Sequence, residues 1–275
     1  MQYGFVLPWG DATTAMALAQ EAEAAGWDGF FMWDPVWGID PWISLAAIAV
    51  KTERIRLGTL ITPLSRCRPW KLASETVTLD HLSHGRLTLS VGLGAIDSGF
   101  EVFGEETDRR TRAELLDEGL DILTGLWRGE LFDYDGKHYQ VKDMEFLTPA
   151  PPPPLQSPRI PIWVVGAWPR PKSMQRVMRY DGLLPTMIDA TGTHITPTPD
   201  DIHAMKEYVE EHRSLTTPFD IIIEGETPTD DPQQATSQVY PYAEAGATWW
   251  MEGQWSAKNI EDVRKRIVQG PPRIE

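Results

Sequence analysis

The chain has 275 residues, a net charge of −15 and one cysteine, Cys67. That length holds one large α/β domain or two small ones, and the acidic surplus would repel nucleic-acid phosphates. A lone cysteine excludes an internal disulfide framework, the start MQYGFVLPWGD lacks the basic segment of a secretory signal, and no apolar run nears ~18 residues, so a soluble cytoplasmic protein with no membrane partner is expected.

The elements alternate from the start. Tyr3 to Leu7 reads as a strand, and Asp11 can cap a helix with Ala15, Leu18, Ala19 and Ala22 on one face and Gly26 as its stop. Phe30 to Trp33 is a second strand, followed by a helix from about Trp42 to Lys51. Ile55 to Ile61 is an apolar run broken by Gly58 and ended by Thr62-Pro63. A helix then starts at Pro69, where a missing N–H costs nothing, with Trp70, Ala73 and Val77 at one-face spacing, and stops near Gly85. Leu87 to Leu93 is the fourth strand. After a loop from Ala95 to Asp108, Arg109 to Trp127 is a long helix with Leu115, Gly119, Ile122 and Leu126 on one face.

The second half repeats the unit. Ile162 to Val165 precedes a helix at Lys172 to Tyr180, and a brief strand Gly182 to Pro185 precedes Asp200 to His212. Phe219 to Glu224 precedes Gln233 to Ala245, which Pro241 is expected to kink or break, and Thr248 to Glu252 precedes Asn259 to Gln269 with Ile260, Val263 and Ile267 on one face. Near-continuous apolar strands joined by helices imply a parallel sheet buried on both faces. Eight such units of this total length predict a (β/α)8 TIM barrel forming a single domain over residues 1–275. The rival is an open doubly wound sheet, but no GxGxxG follows the first strand. Gly129 to Leu147 lies outside the repeat, with Leu131, Tyr134, His138, Tyr139, Val141 and Phe146 around Asp135-Gly136; it reads as an insertion hairpin between helix 4 and strand 5, packed over the barrel mouth or edge. The run Pro149 to Pro154 makes a stiff connector back into the barrel, the whole insertion spanning about 129–154.

In a barrel, chemistry gathers at the C-terminal ends of the strands. Tryptophan recurs there (Trp9, Trp33, Trp37, Trp168, Trp255), and glycine follows or ends several strands. Flat side chains and close backbone suit a planar ligand, with Trp9, Trp33 and Trp255 as pocket walls; alternatively, the aromatics only plug the mouth. Asp34, between Trp33 and Pro35, is the candidate proton-transfer group, since burial there would raise its pKa; the alternative is a turn cap. Glu224 and Glu252 are lesser candidates, as strand-end carboxylates often pair with nearby cations. His81 and His84 have no third ligand at matching spacing, so no metal site is expected. Arg66 and Arg68 flank Cys67 and would either depress its pKa, anchor an anion or lie in solvent.

The chain resembles the bacterial luciferase-like oxidoreductases. The likeness rests on RLGTLITPLSRCRPWKLASETVTLDHLSHGRLTLSVGLG, with Leu79, Asp80, Ser83, Gly85 and Arg86 at its core, and on GWDGFFMWD, FGEETDRRTRAELLDEGLDILTGLW, YDGKHYQV, PIWVVGAW and YDGLLP in order. The resemblance implies a (β/α)8 enzyme using reduced FMN, or alternatively the deazaflavin F420, on a small-molecule substrate. Flavin would bring oxygen chemistry and F420 hydride transfer; a non-catalytic flavin-binding protein is the other reading. By position it implies that Thr59, Leu60, Ile61 and Thr62 lie against the ring, at a bulge where relatives often have a cis bond. Gly92 and Gly94 would line the ring or ribityl chain, Gly166, Ala167 and Trp168 the phosphate, and Asp34 with Trp33 the substrate side. It further implies a homodimer and a separate reductase. Two departures stand out: Pro35 replaces a histidine common after the second-strand acid, and Ala95 follows Gly94 where relatives carry arginine. That leaves Arg66, Arg170 or backbone amides to hold phosphate.

Overall fold

The computed structural model describes residues 1–130, 132–142, 151–189 and 193–274. Eight strands close into a parallel ring: β1 (Gln2–Leu7), β2 (Gly29–Met32), β3 (Arg56–Thr59), β4 (Leu87–Gly92), β5 (Ile162–Ala167), β6 (Gly182–Ile188), β7 (Asp220–Gly225) and β8 (Trp249–Gly253), which returns to β1. Between them run α1 (Ala12–Ala25), α2 (Pro41–Ala49), α3 (Pro69–Leu82), α4 (Arg109–Leu126), α5 (Pro171–Val177), α6 (Pro199–His212) and α7 (Pro232–Ala245), with α8 (Ile260–Val268) after β8. A short turn of helix, Phe100–Phe103, precedes α4. The closed (β/α)8 barrel replaces the open-sheet alternative. No described helix is long and apolar enough to cross a membrane.

Two apolar layers hold the ring. The larger lies between strands and helices, around residues such as Leu18, Leu45, Leu120, Met205 and Ile267. The smaller fills the lumen: Val6, Phe31, Leu60, Trp163, Leu184, Ile222, Trp249 and Met251. Phe31 stacks on Trp163 at 5.5 Å, and Trp163 meets Trp249 edge-on at 5.2 Å. Glycine creates the room. A Cβ on Gly29 would lie 2.6 Å from the Phe31 ring, and one on Gly182 would lie 2.3 Å from Trp163. Large and small residues therefore interdigitate inside the barrel, as close packing requires.

Several helix faces differ from the periodic reading. In α3 the buried positions are Leu72, Ala73, Thr76, Leu79 and Asp80, while Trp70 is largely exposed and meets Tyr139 edge-on. Thr76 and Asp80 are tolerated inside because each is satisfied: Thr76 bonds the Leu72 carbonyl and Trp127 Nε1, and Asp80 accepts from Leu155 N, Gln156 N and Gln156 Nε2. In α4 the core face carries Leu116, Gly119, Leu120, Ile122 and Leu123, with Leu126 packed against it and Leu115 only half-buried. In α8, Val263 and Ile267 are buried but Ile260 only partly. Helix α7 runs unbroken through Pro241. β6 continues three residues past Pro185 and pairs antiparallel with His194–Ile195, an extension the sequence reading omits.

The insertion hairpin is present as Tyr134–Asp135 paired with Gln140–Val141. Its loop is longer than an Asp135-Gly136 turn, closing with Gly136 N–H on the Tyr139 carbonyl. Glu118 of α4 accepts the N–H groups of Lys137, His138 and Tyr139, so this hairpin packs on a helix outside the ring. Leu131, Phe146 and the start of the proline run at 149–150 lie outside the described residues.

Candidate active site

The site begins with a bulge. Leu57 and Gly58 pair with Leu87 and Thr88, and then Thr62 pairs with Val91, so residues 59–61 face only residues 89–90. One extra residue bends the end of β3 and re-aims its side chains. The Leu60–Ile61 peptide within it is cis. Thr59 and Thr62 turn inward and bond each other at 2.8 Å. Leu60 and Ile61 face the mouth of the barrel.

There a cavity of about 810 Å3 opens directly on the lumen core. Leu60, Ile61, Val165, Leu184 and Ile222 form its apolar floor and walls. The β6 extension closes one side with Thr186, Ile188 and His194, and Thr186 Oγ1 lies 3.1 Å from His194 Nδ1. Arg109, Arg112 and Arg176 bring positive charge from α4 and α5. Arg112 donates to the carbonyls of Leu93 and Gly94, while its buried Nε has no partner among the described residues. An arginine thus does reach the end of β4, although from α4 and not from the position after Gly94. Arg176 is bound to Asp117, whereas Arg109 makes no side-chain ion pair among the described residues.

Of the residues expected to hold cofactor, Leu60, Ile61, Gly94 and Ala167 line this cavity. Thr59, Thr62 and Gly92 stand behind it; a Cβ on Gly92 would press on Ile61 and Val165 from below. Gly166 faces the helix layer, where a Cβ would meet Leu183 and Val177. Trp168 packs edge-on against Tyr208 of α6. Trp9, Trp33 and Trp255 are outside the lining; Trp33 and Trp255 meet edge-on at 6.3 Å. Arg112, Ser173, Arg176 and His194 escape the sequence reading. Only the alternation of Thr186-Met187-Ile188 and Thr193-His194-Ile195-Thr196 hints at the last of these.

The acids differ sharply in surroundings. Asp34 is not in the cavity lining. Burial pushes its carboxyl up to about 6, while Arg66 and the Thr62 hydroxyl act to hold it down. Arg66 is committed to it, bonding Asp34 Oδ1 and the carbonyls of Asp34 and Pro35, and so is not a free phosphate anchor. Arg170 is exposed at the start of α5. Glu252 is fully buried, receiving Thr227 N–H and hydroxyl, Trp250 Nε1 and Gln254 Nε2, with Arg266 at 3.5 Å. Glu224 lines the cavity and, among the described residues, is held only by Trp255 Nε1, at 2.6 Å. Burial pushes the Cys67 thiol up to about 12 and overrides the neighbouring arginines, so of the alternatives for this loop the lowered thiol pKa is excluded. His81 Nε2 lies 2.8 Å from the Pro153 carbonyl, and no group of three metal-binding side chains occurs among the described residues.

Residues 1–269 match the family model described as Luciferase-like monooxygenase. An uncharacterized protein of Mycobacterium tuberculosis is 33% identical over 219 residues, covering 69% of this chain and 73% of its own. The oxygenase component of the flavin-dependent trigonelline monooxygenase of Acinetobacter baylyi is 32% identical over 46% of this chain and 34% of its own. The F420-dependent glucose-6-phosphate dehydrogenase of Microbacterium testaceum is 34% identical over 44% of this chain and 39% of its own. Among solved structures, an F420-dependent secondary alcohol dehydrogenase with an F420-acetone adduct superposes with a TM-score of 0.76 at 16% identity, covering 98% of this chain and 97% of that one.

Proposed function

The chain belongs to the luciferase-like monooxygenase family, and from that premise we propose a flavin- or F420-dependent oxidoreductase acting on a small organic molecule at the C-terminal mouth of the barrel. FMN is the first reading and F420 the alternative, since similar relatives carry a flavin-dependent and an F420-dependent name. The observation that carries the proposal is the cavity itself: a slot of about 810 Å3 with an apolar wall at Leu60–Ile61 and arginines at its rim.

The residues present fit such a group. A flat tricyclic ring needs an apolar wall, and its anionic tail needs cations. Leu60 and Ile61 supply the first; Arg109 and the Nε–H of Arg112, which has no partner among the described residues, supply the second. Gly94, in a left-handed turn at φ +77° packed on Phe100 and Pro63, borders the slot just past β4, and Ala167 with Ser173 borders the same cavity. When bound, the group supplies the redox chemistry, through oxygen activation with FMN or hydride transfer with F420. The chain's part is to orient the reactants, exclude water and manage protons. Asp34 belongs to this reading as a positioning acid, acting on the wall through Thr62, next to Ile61. A cytoplasmic location, a homodimer and reduction by a separate enzyme complete the proposal.

Titration of the protein with FMN and with F420, oxidised and reduced, tests it through absorbance and quenching of tryptophan fluorescence. Tight FMN binding supports flavin-dependent oxygenation or reduction, and preference for F420 supports oxygen-independent hydride transfer. Binding of neither refutes the reading.

A further inference from the structure

Three strand-end acids stand near the mouth, and two of them are spent. Asp34 pairs with Arg66, and Glu252 is satisfied by four hydrogen bonds beside Arg266. Glu224 differs. Its Oε1 takes the indole N–H of Trp255, and its Oε2 has no hydrogen bond among the described residues. No Lys, Arg or His lies within ion-pair distance of it among those residues.

The contact with Trp255 is built in. A Cβ on Gly253 would stand 2.5 Å from Trp255 Nε1 and 3.1 Å from Glu224 Oε1, so only glycine leaves the indole free to reach the carboxyl. Trp255 is itself braced edge-on by Trp33. The ring order puts β7 four strands from β3 in either direction. Glu224 therefore faces the Leu60–Ile61 wall from across the barrel mouth. A planar group on that wall would leave its open face toward Glu224.

We propose that Glu224, held by Trp255, is the carboxyl that meets the substrate and exchanges a proton with an oxygen or nitrogen atom of it. This rests on the proposed reading, in which the redox group occupies the β3 side. The substrate class it selects is a small molecule with a hydroxyl or amine at the reacting position, not a plain hydrocarbon. The substrate O–H or N–H bond breaks, a new O–H forms on Oε2, and the electron pair stays on the substrate atom. Glu224 is exposed at the mouth, where desolvation by the walls of the slot raises its pKa and the Trp255 bond opposes this. The neighbouring strand β6 carries no titratable side chain, and on β8 Glu252 is turned into its own network. Glu226 is engaged by Ser256. His194, on the strand paired with the β6 extension, shares the cavity lining on Glu224's side of the ring, and Asp97 and the three arginines line it from the β4, α4 and α5 side.

The test is a pH titration of tryptophan fluorescence in the cofactor-free full chain, from pH 4 to 9, beside FMN and F420 affinities. The wild type and Asp34→Asn should share a transition above the ordinary carboxylate range, and Glu224→Gln and Trp255→Phe should lack it. Glu224→Gln should bind cofactor within about twofold of wild type. With cofactor loaded, turnover of a panel of small alcohols and amines should show that ionisation in its pH profile and lose it in Glu224→Gln. Because Asp34 titrates at about 6 beside Trp33, the decisive chain carries Glu224→Gln together with Asp34→Asn, and a transition that survives in it overturns the proposal. So does loss of cofactor affinity in a folded Glu224→Gln, which would put the residue in the cofactor seat. If the wild type binds neither cofactor, the proposed function fails while the fluorescence titration still reports on Glu224.

Discussion

Arg66 grips Asp34 at two levels, through the carboxylate at 3.3 Å and through the residue's own backbone carbonyl at 3.0 Å. The second bond, with a third to the Pro35 carbonyl, keeps the guanidinium in place whether or not Asp34 is charged. The carboxyl pays a desolvation cost that the pair offsets only in part, so its folded pKa is about 6, above the 3.8 of an open chain. Between those values the folded chain binds the extra proton, and stability falls as pH rises through the window. Replacing Asp34 with Asn should remove this slope. Unfolding free energies from urea titration at pH 4.5 and 7 should then differ less in the variant than in the wild type, by about 2 kcal/mol. Equal slopes in both proteins would contradict the assignment.

Cys67 shares its loop with two arginines, yet Arg66 is spent on Asp34 and Arg68 lies over the Trp70 ring. Burial then dominates and holds the thiol near a pKa of about 12. Iodoacetamide at pH 8 should label the native protein at least tenfold more slowly than the urea-unfolded chain, since the thiolate is the reactive form. Equal rates would mean that the loop is open.

The alternation of strands and helices was legible because strands buried on both faces read as apolar runs, and all eight stand where those runs lie. The helix faces were less so. Hydropathy cannot see that Thr76 and Asp80 are satisfied by partners distant in sequence, and it credits Trp70 with a burial it does not have. The β6 extension was hidden because Pro185, lacking an N–H, reads as a strand end. At the site, the strand ends were correctly picked out, but side-chain direction was not. Leu60 and Gly94 face the cavity while Gly166 and Trp168 face helices, a matter of pleat and twist that only the closed ring decides.

The strongest motif is a matter of stability. Arg86 is buried and bonds Ser83 O, Thr52 Oγ1, Ile55 O, Ala49 O and Thr52 O, tying the end of α2 and the start of β3 to α3. Gly85 makes the turn before it with φ of +79°. Lysine offers one nitrogen where these carbonyls need a fork. Arg86→Lys should cost about 2–4 kcal/mol in urea unfolding, yet cofactor affinity of the folded variant should stay within about twofold, because these bonds lie away from the cavity lining. A tenfold loss of affinity at unchanged stability would reverse that assignment.

Gly92 offers a direct probe of the cofactor wall. An added Cβ would lie 2.6 Å from Ile61 Cδ1 and 2.8 Å from Val165 Cγ2, and both side chains line the cavity. The backbone tolerates alanine there, since Gly92 is not among the positive-φ glycines. Relief must come from the side chains, and the free space lies upward, into the slot. Gly92→Ala should therefore lower stability by about 1–3 kcal/mol and weaken FMN or F420 binding about tenfold or more, read from tryptophan quenching. Gly166→Ala is the counterpart, because its Cβ would meet Leu183 and Val177 on the helix side. It should cost comparable stability with much less effect on affinity. If the two variants bind cofactor equally well, the ring does not lie against Ile61.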